Sequence, residues 1–354
     1  MTEHTQWVDG STSAMEKQWH ALEHACGLYD ARNRGRLCLV GEDRASFLHG
    51  QVTQEVRQLK PGEGTYAALA DGKGRFLCDV NIYCLEEELL LDFEGGLMES
   101  VRERLERYLI SEDVTLVDAA EHVTMLTLQG PLAGHLLESV FEGQTLPDQP
   151  GQILALESKQ ADGEVYMAFR PRGARLGFDL FIPLESISTW SALLSRELHQ
   201  VGGSVVEETS MELLRIQAGL PRTGTELLPS VLVQESGLAD AMISFHKGCY
   251  IGQEVISRIK TSGKLNRVLS HFSLDAIPYY REGSPVILFS EDQAVGWLTS
   301  VAICPGKTPS VHALGYLRTA ALSGESPIYF KDFGDSLVEV RRRDSVSVYH
   351  PSLD

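Results

Sequence analysis

Lys247-Gly248-Cys249-Tyr250-Ile251-Gly252-Gln253-Glu254 sets a thiol two residues from an ammonium, with glycines at 248 and 252. Wherever the backbone there is extended, residues i and i+2 share a face, so Lys247 lies beside Cys249 and favours its thiolate. Gly248 and Gly252 free φ and let the backbone approach a ligand closely. If Gly252 opens a short helix, Glu254 and Arg258 fall at i and i+4, with the carboxylate on the favourable N-terminal side. Cys249 then sits near a helix N-terminus, a second reason for thiolate character. On this reading Lys247→Met weakens the thiolate with little loss of stability. The competing reading is that Cys249 is a small buried hydrophobe, as free cysteines commonly are.

The octapeptide resembles the signature of the YgfZ family, folate-binding proteins related to the glycine-cleavage T-protein (aminomethyltransferase) and linked to maintenance of iron-sulfur enzymes. Upstream, Leu48-His49-Gly50-Gln51-Val52-Thr53-Gln54-Glu55-Val56 resembles that family's L-x-G-Q-V-T-x-D-V, with Glu55 where aspartate is usual. Asp71-Gly72-Lys73-Gly74-Arg75 is similar to its D-x-K-G-R turn. Arg215-Ile216-Gln217-Ala218-Gly219-Leu220-Pro221-Arg222-Thr223-Gly224 is similar to R-I-E-A-G-x-P-x-x-G. Gly263-Lys264-Leu265-Asn266-Arg267 and Val295-Gly296-Trp297-Leu298-Thr299-Ser300 resemble the opening strand and central hairpin of a C-terminal barrel. The match runs from residue 35 to residue 318, and the octapeptide is its most specific part.

Composition bounds the reading independently. A chain of 354 residues is long for one core, and its 43% hydrophobic and 23% charged residues are those of an ordinary globular protein. A net charge of −18 argues against a nucleic-acid surface, which needs clustered Lys and Arg. The six cysteines contain no C-x-x-C pair and no zinc-type spacing, so no metal is expected, and their usage fits a reducing cytosol. No run approaches transmembrane length, and the first ten residues resemble no targeting segment. The sequence therefore reads as cytoplasmic, with a frayed start and no membrane partner.

Two segments of similar length follow one order of elements. In the first, residues 36–40 read as a strand, 42–49 as a short helix, and 65–69 and 76–84 as a hairpin about Asp71-Gly72. Residues 89–93 add a strand, and Leu97, Val101, Leu105 and Leu109 form a helical stripe. In the second, residues 123–128 read as a strand and Gly130-Pro131 opens a helix. Strands over 153–156, 165–169 and 178–182 precede a helix over 188–198. Each half reads β-α-β-β-β-α. A connecting helix over 209–218 carries a capping box in Thr209 and Glu212, with Gly219 past its end. Beyond Gly263, β-prone runs at 268–274, 286–289, 294–301, 311–317 and 337–341 suggest a small barrel without a convincing helix. Arg341-Arg342-Arg343 reads as a solvated strand end in so acidic a chain.

The expected fold class is α+β, a duplicated βαβββα body followed by a small C-terminal β-barrel. Residues 1–34 form an N-terminal helix and lead-in, 35–263 the body (halves 35–118 and 119–208), 264–345 the barrel and 346–354 a tail. The resemblance implies that the body is a T-protein-like folate-binding domain. A pterin needs apolar walls and a few placed polar groups, and the glutamate tail needs cations. Thr53, Tyr66 and Gln253 are the ring-pocket candidates, and Arg75, Arg222, Arg258 and Lys260 the tail candidates. Gly248, Tyr250, Gly252, Gln253 and Glu254 support the working pair Cys249 and Lys247.

Departures from the T-protein bear on mechanism. Its R-x-G-Y-T-G-E-D-G-F-E becomes Arg170-Pro171-Arg172-Gly173-Ala174-Arg175-Leu176-Gly177-Phe178-Asp179, without the acidic pterin reader. Its G-G-I-x-D-D becomes Gly74-Arg75-Phe76-Leu77-Cys78-Asp79, with one carboxylate in place of two, and the N-A dipeptide that follows is replaced near Asp92-Phe93. The reading is a tetrahydrofolate-binding protein acting in iron-sulfur cluster assembly or repair, with iron-sulfur client or assembly proteins as partners. Its alternatives are an aminomethyltransferase or other one-carbon transferase, and a non-catalytic folate-sensing scaffold. Whether the chain turns over a substrate, and hence whether it is an enzyme, is left open.

Overall fold

A computed structural model describes residues 4–279, 284–322, 326–332, 334 and 336–343. The first sheet holds five strands in the order Gly64–Ala70, Phe76–Cys84, Glu88–Phe93, Gly35–Val40 and Thr115–Asp118, all antiparallel to their neighbours. The helices Arg44–Gln51 and Met98–Glu106 cover one face. Period-2 alternation sends Leu37, Leu39, Leu89 and Leu91 into that core, where Val101 and Leu105 of the leucine stripe meet them. Leu109 of the stripe lies past the helix end and still packs there. The hairpin turn spans residues 71–75, longer than the dipeptide suggested, because the Asp71 carboxylate accepts from the amides of Lys73 and Arg75 at 2.8 and 2.9 Å.

The second sheet has six strands in the order Ser204–Val205, Gly27–Asp30, Val123–Gln129, Gly177–Pro183, Ala161–Phe169 and Ile153–Ser158. Its helices Ala133–Val140 and Ile187–Gln200 bury a core in which Phe141 stacks on Trp190 with centroids 5.5 Å apart. Pro131 precedes the first of these helices instead of entering it, the N-cap being Leu132. Gly130 adopts φ +132°, and a Cβ there would lie 2.7 Å from the Ala25 carbonyl. In both sheets the strand of the β-α-β-β-β-α series that comes first in sequence pairs with the one that comes last.

The connecting helix Glu208–Gln217 departs from its expected cap. Glu207 is the N-cap and no side chain caps the turn. Glu212 instead accepts from Arg215 at 2.8 Å and from Gln6 at 3.0 Å, a buried ion pair outcompeting a local amide. Gly219 does follow the helix in a left-handed conformation at φ +78°.

Past Gly263, which ends the helix Gln253–Ser262, six strands close a barrel. Arg267–Leu274, Ser310–Arg318, Gln293–Cys304, Val286–Ser290, Tyr329–Lys331 and Leu337–Arg343 pair in a ring, the last returning to the first. One short helix, Thr319–Leu322, interrupts the strands. The start of the chain is not frayed through residue 10 as expected. Gln6–Asp9 runs parallel to residues 300–303 on the outer edge of the barrel sheet. The proposed tail, 346–354, lies outside the described residues.

Candidate active site

A cavity of about 140 Å³ opens between the two sheets and the connecting helix. Tyr66 and Asp79 form one wall from adjacent strands, Arg170 and Arg172 another from the loop between residues 169 and 177, and Glu212 and Arg215 a third from the connecting helix. The Tyr66 hydroxyl donates to Asp79 Oδ2 at 2.8 Å. The Thr223 hydroxyl donates to the other oxygen of the same carboxylate. Arg170 lies over the Tyr66 ring, 4.9 Å from its centroid.

Below these groups runs a buried charge network. Asp92, fully buried, accepts from Arg34 Nε at 2.6 Å, Arg172 Nη2 at 2.9 Å and Asn81 Nδ2 at 2.9 Å. Arg172 also clamps Asp179, equally buried, with its Nη2 at 2.6 Å. Burial works against the Asp92 carboxylate, but Arg34 and Arg172 outweigh it and hold its pKa well below the usual range. Burial likewise opposes the Arg172 charge, and Asp179 and Asp92 raise its pKa well above the ordinary value. The cavity floor is thus charged, with Arg34 and Arg172 paired to buried carboxylates. Asp179 sits beneath it and does not line it.

An outer annex of about 410 Å³ shares Asn33, Glu94, Glu208 and Arg222 with the cavity and leads to solvent. Burial raises the Glu94 pKa, while Arg34 and Arg222 pull it down. Arg222 reaches Glu212 at 3.2 Å and Glu208 at 3.4 Å.

The structure divides the residues expected here. Tyr66 and Arg222 line the cavity. Thr53 does not: its fully buried hydroxyl donates to the Met242 carbonyl at 2.6 Å and accepts from the Ala68 amide at 2.9 Å, a structural tie. Arg75 belongs to a different groove. Arg258 is exposed and paired with Glu254 at 2.6 Å, and Lys260 lies over the Phe245 ring at 3.4 Å. Neither lines the cavity. Arg34, Arg172, Glu94 and Glu208 were not anticipated. One signal for such a network was in the sequence, a single aspartate within Leu89-Leu90-Leu91-Asp92-Phe93, since a lone charge in an apolar strand must find a buried partner.

Residues 247–252 of the octapeptide form a loop and Gln253-Glu254 open a helix, all outside the cavity lining. Lys247 is buried, and its ammonium donates to the carbonyls of His49, Val52 and Gln54 at 2.6, 2.9 and 2.7 Å. A lysine has three N–H donors, so none is left for the Cys249 sulfur. Lys247 is thus a staple between the loop and the segment 49–54, a correction to the expected thiolate partner. Burial pulls its pKa down to about 8. Its ammonium also stands 5.0 Å from the Tyr250 ring centroid. Burial, with Lys247 beside it, lowers the His49 pKa.

Cys249 is exposed, and the other five cysteines are buried. Gly252, at φ +86°, starts the helix Gln253–Ser262, and a Cβ there would lie 2.6 Å from the Asp71 carbonyl. Gly248 has only His49 Nε2 near its Cβ position, at 3.6 Å. The Gln253 side chain donates to the Gly248 carbonyl at 3.4 Å and shapes the loop instead of the pocket. Among the described residues no group of three or more His, Cys, Asp or Glu is placed to hold a metal, and no helix is long and apolar enough to cross a membrane.

Comparison with known proteins places this architecture. A family model described as the GCVT N-terminal domain matches residues 4–247. A putative chloroplastic transferase of Arabidopsis thaliana is 27% identical over 307 residues, 86% of this chain and 68% of that protein. An aminomethyltransferase of Bacillus pumilus is 26% identical over 291 residues, 81% and 78% of the two chains. The crystal structure of a glycine cleavage system aminomethyltransferase T from Bartonella henselae has a TM-score of 0.79 at 19% identity over 95% of this chain and 90% of that one, a likeness of fold. With well over half of its residues matched, the chain belongs to the GCVT-domain family and has a T-protein-like fold with a closed six-stranded barrel after it.

Proposed function

We propose that this protein binds tetrahydrofolate in the cavity between its two sheets and acts, through the exposed Cys249 loop, in the assembly or repair of iron-sulfur enzymes. The observation that carries the folate reading is the wall in which Arg170 covers Tyr66 and Tyr66 holds Asp79, beside the annex that Arg222 lines. The aminomethyltransferase names of its relatives support the same ligand class. The iron-sulfur role and membership of the YgfZ branch rest on the octapeptide, whose thiol alone among the six cysteines faces solvent. Sites and boundaries follow: Tyr66, Asp79 and Arg222 for the folate, Cys249 for the chemistry, and a body ending at Gly263. The two equivalent strand pairings support reading that body as a duplicated βαβββα unit.

Titration calorimetry with tetrahydrofolate tests the binding, and no heat of binding would end the proposal. Only Arg222 of the four expected tail cations reaches the cavity. Any preference for polyglutamylated folate therefore rests on it, and comparing mono- and polyglutamyl forms in Arg222→Ala measures its share. A deletion strain assayed for iron-sulfur enzyme activity tests the role.

A second reading is a true aminomethyltransferase. It is favoured by Asp79, a carboxylate on the cavity wall held from both sides. Against it, Asp179 is consumed by Arg172, and Cys78, which is buried, stands where the first aspartate of the pair would be. Replacement of the T-protein in a reconstituted glycine-cleavage assay separates the two, and robust turnover there would establish this second reading. A folate-sensing scaffold is the outcome if folate binds and Cys249→Ala complements fully.

A further inference from the structure

A second concavity, of about 660 Å³, lies along the seam where body and barrel meet. Three sequence blocks that the cavity leaves unused converge on it. Arg75 closes the turn over residues 71–75, Asn266 and Arg267 open the barrel's first strand, and Trp297 comes from its central hairpin. Arg318 joins them from the end of the strand Ser310–Arg318.

The charges here are arranged against the trend of the chain. Carboxylates outnumber lysines and arginines 49 to 31 overall, yet this groove gathers three arginines around one carboxylate, Glu235. Arg267 and Arg318 are direct partners across antiparallel strands, a placement that is destabilising for like charges. Arg267 is held: its Nε donates to Glu235 at 3.1 Å, its Nη2 to the Ser230 carbonyl at 2.9 Å, and its guanidinium lies 5.3 Å from the Trp297 ring centroid. That spends the one carboxylate. Among the described residues neither Arg75 nor Arg318 has a side-chain hydrogen bond or ion pair. Both are exposed, with their backbones fixed by the Arg75–Leu232 bridge and the strand register.

We propose that this groove is a binding site for a small molecule bearing a phosphate group, held between Arg75 and Arg318. A phosphate dianion has three terminal oxygens and accepts forks from separate directions, whereas a single guanidinium fork satisfies a carboxylate. The Asn266 amide and the Ser230 hydroxyl, neither of which has a side-chain partner among the described residues, supply further donors. An anion there also removes the repulsion between Arg267 and Arg318.

Calorimetric titration of the full chain with inorganic phosphate, pyrophosphate and AMP tests this, with citrate at matched ionic strength as the carboxylate control. Saturable binding of at least one phosphate compound is expected, and AMP binding more tightly than inorganic phosphate would identify a phosphate ester as the natural form. Arg75→Ala and Arg318→Ala should each weaken binding about tenfold, the worth of one charge-assisted contact. Ligand-free Arg318→Ala should also melt no lower than wild type, because it relieves the like-charge pair. Absence of saturable binding, unchanged affinity in both variants, or citrate binding as tight as pyrophosphate would overturn the proposal.

Discussion

The Tyr66 hydroxyl donates to Asp79 Oδ2 at 2.8 Å, so the ring and the carboxylate form one unit on the cavity wall. Tyr66→Phe keeps the ring under Arg170 and removes the donor, a loss of about 1 kcal/mol in stability. Tetrahydrofolate affinity should then change by no more than about threefold, whereas Tyr66→Ala, which removes the wall itself, should lower it tenfold or more. Calorimetry on the two variants checks this. Equal losses would mean that the hydroxyl, and not the ring, meets the ligand.

Lys247→Met tests the staple. Its removal leaves the carbonyls of His49, Val52 and Gln54 without their donor. The sequence alone predicts tolerance. The geometry implies instead a loss of about 3 kcal/mol or more, since each stranded buried acceptor costs on the order of 1 kcal/mol. Urea denaturation gives the number, and a change below about 0.5 kcal/mol would contradict the role.

Cys249 should be the fast-reacting thiol. Iodoacetamide is expected to modify it alone in the folded protein, the other five cysteines reacting only on unfolding. Cys249→Ser should keep its stability within about 0.5 kcal/mol, as surface substitutions do, and still fail to restore iron-sulfur enzyme activity in a deletion strain. Peptide mapping by mass spectrometry and the complementation assay read the two halves of this prediction.

His271 and His312 lie in the barrel with ring centroids 5.9 Å apart, both buried. Burial pulls each pKa down to about 4, with the second histidine and Arg343 adding to the effect on the first. Above the ordinary value of about 6.5 both states are neutral and nothing is linked to pH. As pH falls from there to about 4, the unfolded chain takes up protons that the folded barrel refuses, so stability is lost across that window. The loss is at most about 3 kcal/mol for each ring. Thermal melts from pH 7 to pH 4 should fall less steeply in His271→Gln/His312→Gln than in wild type, and parallel profiles would show the pair to be inert.

Elements with a strong local period were legible in the sequence. Five of the barrel's strands stand where their β-prone runs placed them, whereas Tyr329–Lys331, three residues long, is too short to carry any alternation. Gln6–Asp9 was missed for a different reason: its partner lies near residue 300, and no local pattern encodes a parallel pairing at that range. The site was read in part. Tyr66 and Arg222 sat in recognisable blocks, but the floor of the cavity depends on Arg34 and Arg172 meeting Asp92 across two sheets. Lys247 bonds away from the thiol, because three carbonyls bent around residues 49–54 offer an ammonium more than a neighbouring thiol does, and no local pattern in the octapeptide encodes them.

The strand Gln6–Asp9 also sets an order of events. Thr5 waits for the Leu298 carbonyl, 293 residues later, before its hydroxyl is satisfied. Pairings of such long range close late in folding. A growing chain therefore carries Gln6–Asp9 unpaired until residues 300–303 have emerged, and the strand can dock on the barrel only then. Deleting residues 1–10 would spare the nascent chain that exposed edge and would also strip the mature barrel of its outermost strand, so yield and final stability should move in opposite directions.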